Sequence, residues 1–308
     1  MNKPLITICI PTYNRACFLK LCLESIYIQL TNESLEKKIR IIILDNQSQD
    51  NTEEIVKNFT DLSDNFQYVK DNENRNMIQG IIKVASLANS EYIWVFSDDD
   101  LQNNKLELVI NFIEKYKPEL VVCNLVGFNN KNTTRHHNLL KVSGDILLNN
   151  RKDFFNLLGK KFNTTIDYYT TLCSNWIIKK SVFDNNYYIL NNYNNKLDMF
   201  PLPSLFFYTN IQFKTGIIAE EIILNRGGNA SWEKKNAFRN YFHVNNIWKD
   251  YYNKIIKNNR EYLPAYFILK IHFKNLLRIK FLLRLIIIKL LIIINLYNFI
   301  KQNNIIKK

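Results

Sequence analysis

Between Leu5 and Cys123 the chain alternates short runs of β-branched apolar residues with segments whose apolar residues recur at helical spacing, and that alternation leaves few folds open. Leu5–Ile10, Ile39–Leu44 and Tyr92–Phe96 lack the polar–apolar alternation of a half-exposed sheet and read as strands buried on both faces. Gln67–Lys70 and Glu119–Cys123 add two more. The first run reads as stopping at Pro11, which has no N–H to give a ladder. Helical spacing links Phe18, Leu19, Cys22, Leu23, Ile26 and Leu30, and recurs over Met77–Ala88 and over Asn104–Tyr116, where Pro118 follows. Asp50-Asn51-Thr52-Glu53 reads as a helix cap ahead of Ile55 and Val56. The expected architecture is α/β, a doubly wound sheet whose ligands gather at the carboxyl ends of its strands. Asp45 and Asp98–Asp100 fall at such ends. From Asn124 to Asn225, Asn-rich loops are mixed with the apolar segments Cys173–Ile178, Leu202–Tyr208 and Gly216–Leu224, read as completing the same domain.

Phe96-Ser97-Asp98-Asp99-Asp100 carries the strongest chemical signal. Three adjacent carboxylates at the end of a buried strand repel one another, and their ionised forms are costly unless a cation or water neutralises them. Hard oxygen ligands of this kind suit Mg²⁺ or Mn²⁺, which binds one or two carboxylates together with substrate phosphates. A solvated turn capping the next helix is the alternative. Pro11-Thr12-Tyr13-Asn14-Arg15 stands where a dinucleotide-binding fold would carry a glycine-rich turn, and the chain has no G-x-G-x-x-G, so an NAD or FAD site is not expected.

These segments resemble the motifs of the family 2 glycosyltransferases, enzymes of the GT-A fold. Ile8–Arg15 is similar to that family's opening strand and loop, Leu44–Asp50 to its second-strand Asp motif, and Glu91–Asp100 to its metal motif. Within the family, Tyr92-Ile93-Trp94 with the triple Asp, and Arg226-Gly227-Gly228-Asn229-Ala230-Ser231-Trp232, resemble the abequosyltransferase-type enzymes that build bacterial surface polysaccharides. The resemblance implies a GT-A mixed sheet over residues 1–225 and a metal-dependent, inverting, non-processive transfer of a hexosyl-type sugar from a nucleotide-sugar donor. Pro11, Thr12, Tyr13 and Arg15 would line the donor nucleotide, Asp45 would accept from the base, Asp98 would lie near the ribose, and Asp99 and Asp100 would hold Mg²⁺ or Mn²⁺. Asn74-Arg75-Asn76 stands in for an altered Arg-Asn pattern before the metal motif. Inversion needs a general base for the acceptor hydroxyl. Asp198, ahead of Leu202–Tyr208, takes that role, with Asp167, Glu220 and Glu221 as rivals. Arg226, followed by Gly227 and Gly228, offers charge to the donor's diphosphate. Two rival functions remain at this point: a sugar-phosphate nucleotidyltransferase, and a non-catalytic membrane-bound assembly module on the same fold.

Net charge bears on the partner. Of a formal +13, the segment Tyr251–Lys308 supplies twelve Lys or Arg against the single acid Glu261, so the basic surface is local and nucleic acid is not expected. The longest run there without Lys or Arg, Leu290–Ile300, has eleven residues, short of the about twenty needed to span a bilayer. At helical spacing Lys270, Lys274, Arg278, Lys280, Arg284 and Lys289 share one half of the circumference with Asn295 and Asn298, opposite Leu, Ile and Phe. Residues 226–308 are therefore expected to form a loop and a helical extension that lies on an anionic membrane surface. That placement suits a polyprenyl-diphosphate-linked saccharide acceptor and a peripheral position on the inner face of the cytoplasmic membrane. Cys9, Cys17, Cys22, Cys123 and Cys173 form no C-x-x-C pair and are expected to be buried free thiols of a reducing compartment. The N-terminus runs into the first strand without an apolar signal region.

Overall fold

The computed structural model describes residues 3–128, 134–136, 140, 142–150, 153–154, 157, 173–192 and 213–226, all within one compact unit, Met1–Arg260. Asp167, Asp198, Leu202–Tyr208 and the basic tail beyond Arg226 lie outside the described residues.

The first half builds a parallel block from β1 (Ile6–Thr12), α1 (Ala16–Tyr27), α2 (Glu33–Lys38), β2 (Ile39–Asp45), α3 (Thr52–Leu62), β3 (Phe66–Lys70), α4 (Met77–Leu87) and β4 (Tyr92–Val95). The second half contributes β5 (Leu101–Gln102), α5 (Leu106–Tyr116), β6 (Leu120–Phe128), β7 (Thr134–His136), β8 (Ile146–Leu148), β9 (Trp176–Lys179), α6 (Lys180–Asn192) and β10 (Thr215–Arg226). The strands form one sheet in the order β3-β2-β1-β4-β9-β6-β10-β5, with β7 on β6 and β8 on β10. β1 is parallel to both β2 and β4, while β9 runs antiparallel between β4 and β6 and makes the sheet mixed. Ile6, Ile8, Cys9 and Ile10 of β1 and Tyr92, Ile93, Trp94 and Val95 of β4 are buried, as expected for strands covered on both faces.

Three differences from the sequence reading have physical causes. β1 runs through Pro11 to Thr12 instead of stopping at the proline. Alternate residues of a strand face the same neighbour, so the nitrogen of Pro11, like Cys9, faces β4. Pairing with β4 ends at Cys9 and Val95, so the missing N–H interrupts no bond there, while pairing with β2 continues through Pro11 and Thr12. β6 runs five residues past Cys123 because Asn124, fully buried, repairs a register shift against β10: its Nδ2 donates to the Ala219 carbonyl at 2.7 Å and its Oδ1 accepts from Leu140 N at 3.1 Å. Cys9, Cys22 and Cys123 are buried thiols and Cys173 is half-buried, but Cys17 is exposed because the second position of α1 faces away from the stripe of Ala16, Leu19, Cys22, Leu23 and Ile26.

The helices are fixed locally where the sequence signals them. Asn76 and Gln79 form a capping box at the start of α4. α5 ends on Lys117 in the left-handed region at φ 46°, ahead of Pro118.

Candidate active site

The ends of β1, β2, β4 and β10 meet at one edge of the sheet. Because β1 and β4 are parallel neighbours, the loop after β1 faces the turn after β4, and Thr12 Oγ1 donates to Asp98 Oδ2 at 2.8 Å. Thr12 is also in register with Asp45 on β2, and Asn46 N donates to the Thr12 carbonyl at 3.0 Å. Asn14, at φ 51°, turns the chain from β1 into α1 and laces this loop to the one after β2: its N–H donates to Ser48 Oγ at 2.9 Å and its Oδ1 accepts from Gln49 N at 2.6 Å. Asp50 joins two helix starts, accepting from Ala16 N at 3.0 Å and Thr52 N at 3.2 Å, but it stands one residue ahead of the N-cap Asn51, whose own side chain makes no capping bond, so it ties the loops together where the sequence suggested a cap.

The three aspartates of the turn are not equivalent. Asp98 is buried; besides Thr12 it faces Arg15, whose Nε lies 3.0 Å from Asp98 Oδ1 without its N–H being aligned on an acceptor. Asp99, the one aspartate of the three that is not buried, accepts from Arg15 Nη2 on Oδ2 and from Ser97 Oγ on Oδ1. Asp100 is buried and takes three protein donors: Ser174 Oγ at 2.7 Å, Asn225 Nδ2 at 2.9 Å and Arg226 N at 3.0 Å. Burial pushes the Asp98 carboxyl up to about 7, with Arg15 pulling it down and Asp99 pushing the same way as burial. Burial and then Asp99 raise Asp100 to about 7, against the hydrogen bonds from Ser174, Arg226 N and Asn225.

Cations gather on the same turn. Arg226, the last residue of β10, donates from Nε to the Asp99 carbonyl at 3.1 Å. Its guanidinium carbon lies 5.4 Å from the centre of the Phe18 ring and 4.6 Å from that of Phe128, while that of Arg15 lies 5.1 Å from the same Phe18 ring. Among the described residues no three His, Cys, Asp or Glu side chains are grouped to hold a metal ion unaided. The donor set nonetheless fits Mg²⁺ or Mn²⁺, because such an ion takes one or two carboxylates and completes its shell with substrate phosphate and water.

Of the residues singled out from the sequence, Pro11, Thr12, Arg15, Asp45, Asp98, Asp99, Asp100 and Arg226 reach this edge, and Tyr13 stands exposed beside it. Asp45 is buried, with Ser48 N donating to Oδ1 at 2.8 Å and Tyr68 OH donating to Oδ2 at 2.6 Å. Arg75 pairs through Nε with Asp71 at 2.7 Å, and its backbone N–H donates to Asn46 Oδ1 at 2.6 Å. Glu220 pairs with Lys105 on the α5 side. Sequence reasoning missed Ser174, Asn225, Tyr68 and Phe18. Ser174 precedes β9 and accepts from Ser97 N at 2.9 Å while donating to Asp100, so it holds the turn from the far side.

Comparison with known proteins bears on this geometry. Abequosyltransferase RfbV of Salmonella typhimurium is 28% identical over 280 residues, covering 84% of this chain and 78% of that protein. The uncharacterized glycosyltransferase MG025 of Mycoplasma genitalium is 31% identical over 136 residues, covering 44% of each chain. Among solved structures, S. aureus TarS 1-349 in complex with UDP-GlcNAc superposes with a TM-score of 0.56 at 14% identity, covering 74% of this chain and 60% of that one. This chain thus spans less than two thirds of that TarS fragment. Mannosyltransferase PcManGT from Pyrobaculum calidifontis, in complex with GDP-Man and Mn²⁺, superposes with a TM-score of 0.52 at 14% identity, covering 87% of this chain and 68% of that one. These likenesses establish the GT-A fold. The family description Glycosyl transferase family 2 matches residues 7–186, from β1 into α6 and over more than half of the chain. By that match the chain belongs to glycosyl transferase family 2.

Proposed function

We propose that this glycosyltransferase moves a sugar, one residue per encounter and with inversion, from a nucleotide-diphosphate sugar to a saccharide carried on polyprenyl diphosphate, in the assembly of a surface glycan. One observation carries the reading: Thr12, Arg15, Asp45, Asp98, Asp99 and Arg226 come from four separate strand ends and meet at a single sheet edge. A carboxylate at the end of β2 and a carboxylate turn after β4 suit a ligand with a base at one end and a diphosphate at the other. TarS bound to UDP-GlcNAc and PcManGT bound to GDP-Man and Mn²⁺, both of the same fold, support that class of donor. The resemblance to abequosyltransferase RfbV supports a sugar as the group transferred.

In this reading Pro11, Thr12 and Tyr13 line the nucleoside, Asp45 accepts from the base, and Asp98 lies near the ribose. Asp99 holds Mg²⁺ or Mn²⁺ together with the donor's phosphates, and Arg15 and Arg226 place positive charge beside them. Asp100 is buried under three protein donors, Ser174, Asn225 and Arg226 N, whereas Asp99 is not buried and has Arg15 as an ion-pair partner, so we assign Asp100 to holding the turn and Asp99 to the ion. When held there by Asp99, such an ion would supply positive charge against the departing nucleoside diphosphate. Asp198 takes the proton of the acceptor hydroxyl as general base. The tail after Arg226 keeps the protein on the inner face of the membrane, where a lipid-linked acceptor is found, with the cations of Lys270–Lys289 toward anionic headgroups.

Calorimetric titration with UDP, GDP, CDP and dTDP, with and without Mn²⁺, tests the reading. One of the four is expected to bind at least about tenfold more tightly with Mn²⁺, and Asp99→Ala to lose that gain. If all four are indifferent to Mn²⁺, or Asp99→Ala keeps the full gain, the reading fails.

A further inference from the structure

Arg15 touches the acidic turn in an unusual way. An arginine beside carboxylates ordinarily presents its planar fork, with two parallel N–H bonds. Here Nη2 donates to Asp99 Oδ2, while Nε, although buried and 3.0 Å from Asp98 Oδ1, has no aligned acceptor. The guanidinium is therefore held across two carboxylates by one directed bond, to Asp99, and one contact of charge alone, to Asp98. Its side chain is 25% exposed and rests over Phe18, whose ring is also approached by Arg226. A face of Phe18 offers a cation a second position with little loss of contact.

We propose that Arg15 is an exchangeable counter-ion. With no divalent cation bound it neutralises Asp98 and Asp99, and it leaves them for the donor's diphosphate when a divalent cation takes the carboxylates. This rests on the reading that Asp99 holds the ion with the donor's phosphates. Electrostatics sets the direction. Three carboxylates stand within the consecutive residues Asp98–Asp100, and two of them lie close to Arg15. A divalent cation arriving alone must evict that arginine and leave its charge without a partner. A diphosphate arriving with the cation gives Arg15 the bidentate acceptor that the carboxylates do not. Arg15 thus makes the two ligands favour each other, a coupling that is reciprocal by linkage. It also lowers the affinity for the ion alone, so the site loads as a metal–nucleotide pair.

The test is Mn²⁺ binding to the full chain, followed by the loss of the free-ion signal in electron paramagnetic resonance, in wild type, Arg15→Met and Arg15→Lys. Methionine keeps an unbranched apolar stem against Phe18 and removes the charge. Without nucleotide, Arg15→Met is expected to bind Mn²⁺ about tenfold more tightly than wild type, with Arg15→Lys between them. With the preferred nucleoside diphosphate present, that advantage is expected to vanish or reverse. Metal-free Arg15→Met is also expected to melt below wild type and to gain more from Mn²⁺, because its carboxylates have lost their neutralising charge. If Arg15→Met and Arg15→Lys both bind Mn²⁺ alone no more tightly than wild type, Arg15 is not an exchanged counter-ion, although the metal site stands. If wild type binds no Mn²⁺ even with saturating nucleoside diphosphate, the metal site and the exchange fall together.

Discussion

Replacing Ser174 with alanine removes one hydroxyl and no charge, yet the structure gives that hydroxyl two buried duties. It donates to Asp100 Oδ2 at 2.7 Å and accepts from the backbone N–H of Ser97 at 2.9 Å, in a residue that is 1% exposed. A hydrogen bond to a charged group contributes about 1.5–3 kcal/mol, and stranding a buried N–H costs about 1–3 kcal/mol. The two losses do not add fully, because Asp100 keeps Asn225 and Arg226 N as donors and a water can enter the space left by the hydroxyl. Ser174→Ala is therefore expected to destabilise the domain by about 2–4 kcal/mol, or roughly 5–12 °C in melting temperature for a domain of this size. The turn it supports carries Asp99, so Mn²⁺-dependent nucleotide binding is expected to weaken as well. Urea denaturation read by tryptophan fluorescence measures the first effect. Ser86→Ala, which removes an exposed hydroxyl bonded to the Lys83 carbonyl, serves as the control and is expected to stay within about 0.5 kcal/mol. If Ser174→Ala is as mild as the control, the bracing of the acidic turn by the segment ahead of β9 is wrong.

Tyr68→Phe takes away the phenol that donates to buried Asp45. It is expected to cost about 1–2 kcal/mol and to weaken nucleotide binding several-fold in calorimetry, and unchanged binding would argue against a base-reading role for Asp45. Gly216→Ala would place a methyl well inside contact with the Phe112 ring, packed between β10 and α5. A loss of about 1–3 kcal/mol in stability with nucleotide affinity unchanged is expected, and an unaltered melting temperature would mean that this packing is loose. Truncation after Tyr262 removes Lys270–Lys289 and is expected to abolish sedimentation with anionic vesicles; continued tight association would assign membrane binding elsewhere.

The parallel half of the sheet was legible because its central strands β1, β2 and β4 are largely apolar runs, and Pro11-Thr12, Asp45 and Asp98–Asp100 sit at or just past the ends of those runs. What stayed hidden depends on distant pairing. Ser174 reaches Asp100 across 74 positions and Asn225 across 125, and although they fall in or beside the apolar segments Cys173–Ile178 and Gly216–Leu224, nothing in those segments marks a partner so distant in the chain. The two-residue β5 exists because it pairs with β10, with no apolar pattern of its own. Asn124 looked like a strand end because it is polar, whereas its amide fills a gap in the β6–β10 ladder. Three identical aspartates in a row also gave no sign of their different surroundings, since the donors that distinguish Asp100 from Asp99 come from the turn ahead of β9 and from β10. Even Arg15, read from its motif as a donor-binding residue, proved to face the carboxylates.

Asp99 is expected to hold a divalent ion against the donor's diphosphate. Anomalous diffraction from crystals grown with Mn²⁺ and the preferred nucleoside diphosphate tests it directly. The expected result is one strong manganese peak at ligand distance from an Asp99 oxygen and from the phosphates, with Asp100 still bonded to Ser174 and Asn225. A nucleotide bound at this edge with no manganese peak near Asp99 would contradict it.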